Sequence, residues 1–354
     1  MKRITLADVA KEYGCHPTTV SMALRNHPRL PQKTIEKIQA LAEKMGYRPD
    51  PALGALVAYR RNATASRKAS PLAYVTHWNT RFGWKDVDAH RQFYEGASER
   101  AESLGYKLDH FWLGDPNLSI QRIGEILVNR GIRGVVIASH MPTIDNELDW
   151  DWTKFSAVKI DFFPSSLAVH TISNDQRSIM RLAMRKAIDA GYRKIGCIMP
   201  RWWDDYVNQA WSSGFLSGQL ALREEERIPM LFFEKGPENN RRIDARHLKQ
   251  WMDQWRPEVI VSHSLFVEQA LRELDVRLPE DVAYIDVYPE RKDGEIAGVV
   301  HNCHRVGEMA VEILAGQLQQ NQFGLPAYPT STMVEGTWVD GRSLPTKEPA
   351  LSGD

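Results

Sequence analysis

From Pro71 onward the chain alternates short apolar runs with longer amphipathic stretches, and no other feature narrows its fold so far. The apolar runs are LAYVTH, YKLDHFWL, RGVVIAS, SAVKIDF, KIGCIMP, PMLFFE, EVIVSH and VAYIDVY. Helical periodicity fills the spaces between them, over His90–Leu104, Ile120–Arg130, Gln176–Ala190, Tyr206–Arg223, Ala245–Trp255 and Leu265–Leu274. Such alternation predicts βαβ units and largely parallel sheets, because a parallel neighbour needs a crossover long enough to hold a helix. Residues 71–342 are too many for one sheet of ordinary size. The pattern therefore predicts an α/β body of two similar lobes, with a ligand cleft where strand C-termini face each other.

The first 46 residues follow a different rhythm. A helix is expected from Leu6 to Tyr13, with Thr5 as its cap, Leu6, Val9 and Ala10 on one face, and Gly14 ending it in a left-handed conformation. A second starts at Pro17, whose missing N–H suits the first helical position, and buries Val20 and Leu24. A third follows RLPQ, carries Ile35, Ile38, Leu41, Ala42 and Met45, and stops at Gly46. Two short helices joined across GCH, with a third beneath them, describe a helix-turn-helix unit. In PALGALVAYRRN, Pro51 starts another short helix, and NATASRKAS reads as a linker. The expected division is a helix-turn-helix domain over 1–50, a short helix and linker over 51–70, the two-lobed body over 71–342, and a disordered tail over 343–354.

Charge separates head from body. The formal net charge is zero, yet residues 1–70 hold 13 lysines and arginines against 5 acids, leaving the remainder equally acidic. A basic head on an acidic body points to a polyanionic partner for the head. No run approaches the roughly 18 apolar residues of a membrane span, and the charged N-terminus does not read as a signal peptide. Cys15, Cys197 and Cys303 are odd in number and widely spaced, as expected of free thiols in a reducing cytoplasm, and form no metal-ligand pattern. An enzyme with a Rossmann-like body and an appended DNA-binding head is the alternative reading. Against it, RGVVIAS is followed by no G-x-G-x-x-G, and Walker, G-x-S-x-G and H-E-x-x-H motifs are missing. No catalytic residue, cofactor or metal is expected.

The stretch ITLADVAKEYGCHPTTVSMALRNHPRLPQKTIEKIQALAEKMGYRPDP resembles the N-terminal domain of the lactose-repressor (LacI/GalR) family of bacterial transcription regulators. The T-x-x-D-V-A start, T-V-S in the second helix, the later T-x-x-x-I and the G-Y-x-P-x-P exit carry the likeness. EGASERAESLGY, RGVVIAS, ISNDQRSIMRLAMRKAIDAGYRKIGCI and MVEGTWVDGRS extend it over the family's periplasmic-binding-protein-like effector domain. The resemblance implies a homodimer that binds an operator in double-stranded DNA, usually as a repressor, and answers to a small-molecule effector. It implies base reading by Pro17, Thr18 and Met22, and phosphate contacts from Thr5, Thr19, Ser21 and Asn26. Met22 stands where an arginine often grips guanine, and offers an apolar contact instead. His16 replaces the usual serine-like cap. Ala52, Leu53, Ala55 and Leu56 match the hinge helix, whose leucine wedges into the minor groove; Arg60 and Arg61 would reach flanking phosphates.

In the effector domain the chain departs from the family. The arginine expected three residues before the G-F pair is Trp211, the late aspartate position is Tyr288 with Asp286 two residues earlier, and an N-D pair becomes Ser264-Leu265. Tryptophans 78, 84, 112, 202, 203 and 211 gather near expected strand ends, and aromatic rings can stack on sugar faces or planar ligands. His77, Asn79, His140 and Arg201, with Asp286, are the nearest polar candidates for the cleft. Asp161 and Asp175 read as structural, one ending a strand and the other capping a helix.

Overall fold

A computed structural model describes residues 4–24, 26–27, 29–47, 69–143, 148–236, 240–290 and 293–347. At the head, α1 (Leu6–Tyr13), α2 (Pro17–Ala23) and α3 (Gln32–Lys44) close around Val9, Val20, Ala23, Ile35 and Ile38. Thr5 and Asp8 form a reciprocal capping box on α1, and Gly14 ends the helix at φ 77° with its N–H on the Ala10 carbonyl. Completely burying side chains such as Val20 and Ile38 contributes roughly 1.5–3 kcal/mol each.

In the body, β1 (Ser70–His77), β2 (Tyr106–Trp112), β3 (Gly134–His140), β4 (Ser156–Ile160) and β5 (His170–Asn174) form a parallel sheet in the order 2-1-3-4-5. The same order recurs in β6 (Ile195–Pro200), β7 (Leu231–Phe233), β8 (Val259–Ser262), β9 (Ala283–Asp286) and β10 (Ala297–Val300). Near the C-terminus β11 (Ser331–Val334) adds to β5 in parallel, and β12 (Thr337–Val339) adds to β10 in antiparallel fashion. Helices α4 (Asp88–Ser103) and α11 (Cys303–Gln319) cover one face of the first sheet, and α5 (Ile120–Asn129) covers the other. In the second lobe α6 (Gln176–Asp189) and α8 (Ala210–Gln219) lie on one face, with α9 (Ala245–Trp255) and α10 (Ser264–Glu273) opposite. The expected two-lobed α/β body is therefore present.

The chain crosses between lobes three times, after β5, after β10 and between β11 and β12. These crossings bond to one another: Asp175 N donates to the Val334 carbonyl at 2.9 Å, and Asn302 Nδ2 to the Glu335 carbonyl at 2.6 Å. Asn174 Nδ2 donates to Cys303 Sγ at 3.4 Å. Where α11 meets α4 the backbones touch. A Cβ at Gly307 would lie 2.1 Å from the Phe93 carbonyl, and one at Gly96 would lie 2.0 Å from the His304 carbonyl.

Three expectations need correction. The helix expected over Tyr206–Arg223 is broken: α7 (Arg201–Asp205) precedes it, and Asn208 and Gln209 take left-handed conformations at φ 52° and 56°. Buried Asp204 then accepts from Ser212 N at 3.0 Å, so α8 starts only at Ala210. The tail is ordered through Lys347: buried Ser343 bonds to Tyr284 and Ala297, and Tyr192 holds the Pro345 carbonyl at 2.9 Å. Finally, β5, β10, β11, β12 and α11 add to the elements expected from the sequence; β5, β11 and β12 carry polar residues that break any apolar run, whereas β10 is apolar but only four residues long. The expected hinge residues Ala52, Leu53, Ala55 and Leu56, with Arg60 and Arg61, lie outside the described residues, as do 348–354.

Candidate nucleic-acid interface and ligand cleft

Helix α2 begins where the sequence demands. Pro17 occupies the first helical position, and the residue before it supplies the cap: Thr18 N donates to His16 Nδ1 at 3.3 Å, with Thr18 Oγ1 3.0 Å from the same nitrogen. An imidazole thus does the work of the serine-like cap. Thr18 stands exposed on the first turn, with Met22 one turn on and half-buried. Thr19 and Ser21 are half-buried on the same helix. Thr5 is occupied at home, its hydroxyl donating to Asp8 Oδ2 at 2.7 Å.

A residue the sequence reading missed fixes the far end of α2. Gln39 of α3 donates to the Ala23 carbonyl at 3.0 Å and to Asn26 Oδ1 at 2.8 Å. It satisfies a carbonyl that the helix end leaves open and holds Asn26 in its left-handed conformation, φ 50°. The signal was faint, since a glutamine on a surface helix ordinarily faces water.

In the body, the eight residues expected at the cleft occupy strand C-termini and the helix starts that follow them, yet do different things. His77 and His140, at the ends of β1 and β3, are buried with ring centroids 5.8 Å apart. Asn79 is exposed in the turn after β1. Arg201 is taken up by Glu234 at 3.4 Å and by the face of Phe232 at 4.4 Å. Trp211 is 1% exposed, stacked on Trp203 at 4.9 Å and 5.7 Å from His301. Trp84 is likewise core rather than cleft, packed with Tyr74 and Tyr94.

Asp286 is the hub of a buried network. One carboxylate oxygen accepts from Tyr288 N at 2.7 Å and lies 3.2 Å from His263 Nδ1; the other accepts from Ser264 N at 3.0 Å and from Ser264 Oγ. Its lone pairs are spent inside the protein. His263 is a second residue that sequence reading missed. Tyr288 packs against both His263 and His301, and His301 is pushed down to about 4 by burial. On the opposite lobe Asp161 ends β4 at φ 64°, accepts from Ser173 Oγ at 2.8 Å and is pushed up to about 6 by burial. Ser139 Oγ lies 3.2 Å from His90 Nδ1, and burial holds that imidazole neutral, near 4. Asp175 caps α6 through Ser178 N at 2.9 Å, as expected.

The lobes meet at a cavity of about 430 Å³ beside the crossings, lined by Asp88 and Gln92 at the start of α4 and by Tyr288, Glu290, Asn302 and Arg305. Of the eight expected cleft residues Tyr288 reaches it. Across the cleft, Phe163 of the first lobe meets Tyr206 of the second edge-on at 6.0 Å. Among the described residues no cluster of metal-ligating side chains occurs, and no helix is long and apolar enough to cross a membrane.

Residues 5–50 match the family described as bacterial regulatory proteins, lacI family. An HTH-type transcriptional regulator of Mycobacterium tuberculosis is 26% identical over 204 residues, 56% of this chain and 53% of that protein. The maltose regulon regulatory protein MalI of Vibrio furnissii is 28% identical over 39% of this chain and 90% of its own length. The chain spans about half the length of the first of these relatives. Among solved structures, a transcriptional regulator CelR–cellobiose complex superposes with a TM-score of 0.57 at 17% identity, covering 96% of this chain and all of that one. The lac repressor dimer bound to operator and an anti-inducer gives 0.54 at 16% identity, covering 97% of this chain and all of that one.

Proposed function

We propose that this chain, whose residues 5–50 match the lacI family of bacterial regulatory proteins, is a cytoplasmic transcription regulator of that family, not an enzyme. It binds a pseudo-palindromic operator as a homodimer, represses there, and releases or tightens when a small molecule enters the inter-lobe cleft. The observation that carries the reading is a basic head whose α2, capped by His16 and pinned by Gln39, leaves Thr18 exposed at its leading turn. A second helix placed this way enters the major groove with its N-terminal residues against base edges.

Pro17, Thr18 and Met22 are proposed to read bases, with Met22 favouring a thymine methyl over guanine. Thr19, Ser21 and Asn26 are proposed to contact phosphates, and Thr5 to do so from its capping position. Leu56, flanked by Ala52, Leu53 and Ala55, is proposed as the minor-groove wedge. In the cleft, His77, Asn79, His140 and Tyr288 are proposed to meet the effector. Trp211 and Asp286, with Ser264, are proposed to act from behind by positioning Trp203, His263 and Tyr288. Relatives of this fold carry cellobiose, glucose or sucrose, which makes a carbohydrate-related effector the first class to screen.

The test is selection of bound fragments from random double-stranded DNA, followed by salt titration of the winner. A two-fold-related pair of half-sites is expected. Affinity should fall roughly 10³–10⁵-fold between 50 and 200 mM salt if the dimer neutralises about 6–10 phosphates. Enrichment of single, unpaired sites would refute the dimeric reading. No enrichment, with or without pooled metabolites, would refute operator binding itself.

A further inference from the structure

Helix α8 and the residues just after it, AWSSGFLSGQLAL over 210–222, carry no charge, although the helix lies on the surface. A solvated helix face is ordinarily charged or strongly polar. Here the outward positions are Leu216, 55% exposed, Leu220, 74% exposed, and the exposed Ser217 and Ala221. Leu216 and Leu220 are one turn apart and form an apolar row.

A basic row runs beside it. On α6, Arg177, Arg181 and Arg185 recur every fourth residue and all are exposed, so three guanidinium groups follow one helix face over about 12 Å. The row ends at Asp189, one turn beyond. The two helices run parallel and close together because α8 presents glycines to α6. A Cβ at Gly214 would lie 2.7 Å from the Arg177 carbonyl, and one at Gly218 would lie 2.7 Å from Met184. Arg177 Nε donates to Ser213 Oγ at 3.2 Å, tying the rows at one end. The resulting strip is basic along one edge and apolar along the other.

We infer that this strip on α6 and α8 docks a partner protein presenting an acidic amphipathic helix. Charge complementarity selects that occupant: carboxylates at i, i+4 and i+8 would face the three arginines, and apolar residues on the adjacent face would cover Leu216 and Leu220. Apolar contact alone would suit many surfaces; the arginine row supplies the polarity and the register. The inference adds a protein partner to the operator and effector proposed above, and none of its residues belongs to either site.

The probe is a fluorescein-labelled synthetic helix with glutamates at i, i+4 and i+8 and leucines on the adjoining face, titrated against the full chain by anisotropy. A scrambled peptide of the same composition is the control. The patterned helix should bind at least tenfold more tightly than the scrambled one and weaken as salt rises from 50 to 300 mM. Arg181→Glu with Arg185→Glu should cost tenfold or more, and a lysine version of the helix should recover binding to that double variant. Leu220→Asp should weaken binding comparably, with melting temperature and operator affinity unchanged as evidence that the variants fold. Equal binding of patterned and scrambled peptides, or indifference to these substitutions, would overturn the inference. A loss of sedimenting mass in Leu220→Asp would overturn it too, by assigning the face to a second copy of the chain.

Discussion

Gln39 shows how much a single side chain outside the recognition helix can decide. Its amide bonds both the last turn of α2 and Asn26, so Gln39→Ala leaves a carbonyl and an asparagine short of a partner. A loss of about 1–2 kcal/mol is expected, read as a lower melting temperature of the head with weaker operator binding; Gln39→Glu should rescue neither, since it cannot donate. Asp161 offers a test with a sign. Its carboxyl titrates near 6 in the folded chain because burial disfavours the charge. The folded state therefore holds this proton more tightly, and stability is lost as pH rises from about 4 to about 6. Asp161→Asn keeps an acceptor for Ser173 and removes the charge, so it should raise the melting temperature at pH 8 and leave it nearly unchanged at pH 4. An equal shift at both values would show that the charge is not the cause.

At the scale of elements, α4 and α11 pack backbone to backbone through Gly96 and Gly307. Gly307→Ala forces a methyl against the Phe93 carbonyl, with neither helix free to move without disturbing the sheet beneath. A cost of about 1–3 kcal/mol follows, measurable by urea unfolding, whereas Gly316→Ala on the same helix, where a Cβ meets open space, should be neutral or mildly stabilising. The interruption at Asn208–Gln209 is another element-scale effect. Buried Asp204 captures Ser212 N and resets the start of α8, which places Trp211 in the core against Trp203.

For the whole molecule the buried histidines set an acid limit. His90 and His301 are pushed down to about 4, and His77 is also lowered, all by burial. Their folded values lie below the unfolded one, so stability is lost as pH falls from about 6.5 towards 4, when unfolding takes up protons. These groups outnumber the opposing contribution of Asp161. Denaturant midpoints are therefore expected to fall between pH 7 and pH 5, and a flat profile over that window would contradict the burial of these rings. The three crossings between lobes form the natural pivot for any response to an effector. Asn302 ties the second crossing to the third, so Asn302→Ala should alter the effector dependence of operator binding more than operator affinity itself.

Local chemistry in the sequence settled the helices of the head: the Thr5 cap, Gly14, Pro17 and the apolar spacing within each helix, such as Ile35 and Ile38, act over a few residues and need no partner from elsewhere. It also settled the α/β rhythm, because strands buried on both faces must be apolar throughout. The crossings and the strands beside them escaped it, since HTISN becomes a strand only between β4 and β11, and STMV only when the sheet edge at β5 receives it. The cleft escaped it for the same reason. Trp211, Ser264 and Asp286 were visible as departures from a pattern, but whether each faces a ligand or the protein depends on neighbours up to 90 residues away, such as His301 against Trp211. Only the tertiary structure brings His263 to Asp286 and Gln39 to Asn26, and those meetings decide which polar groups are already spent and which remain to bind.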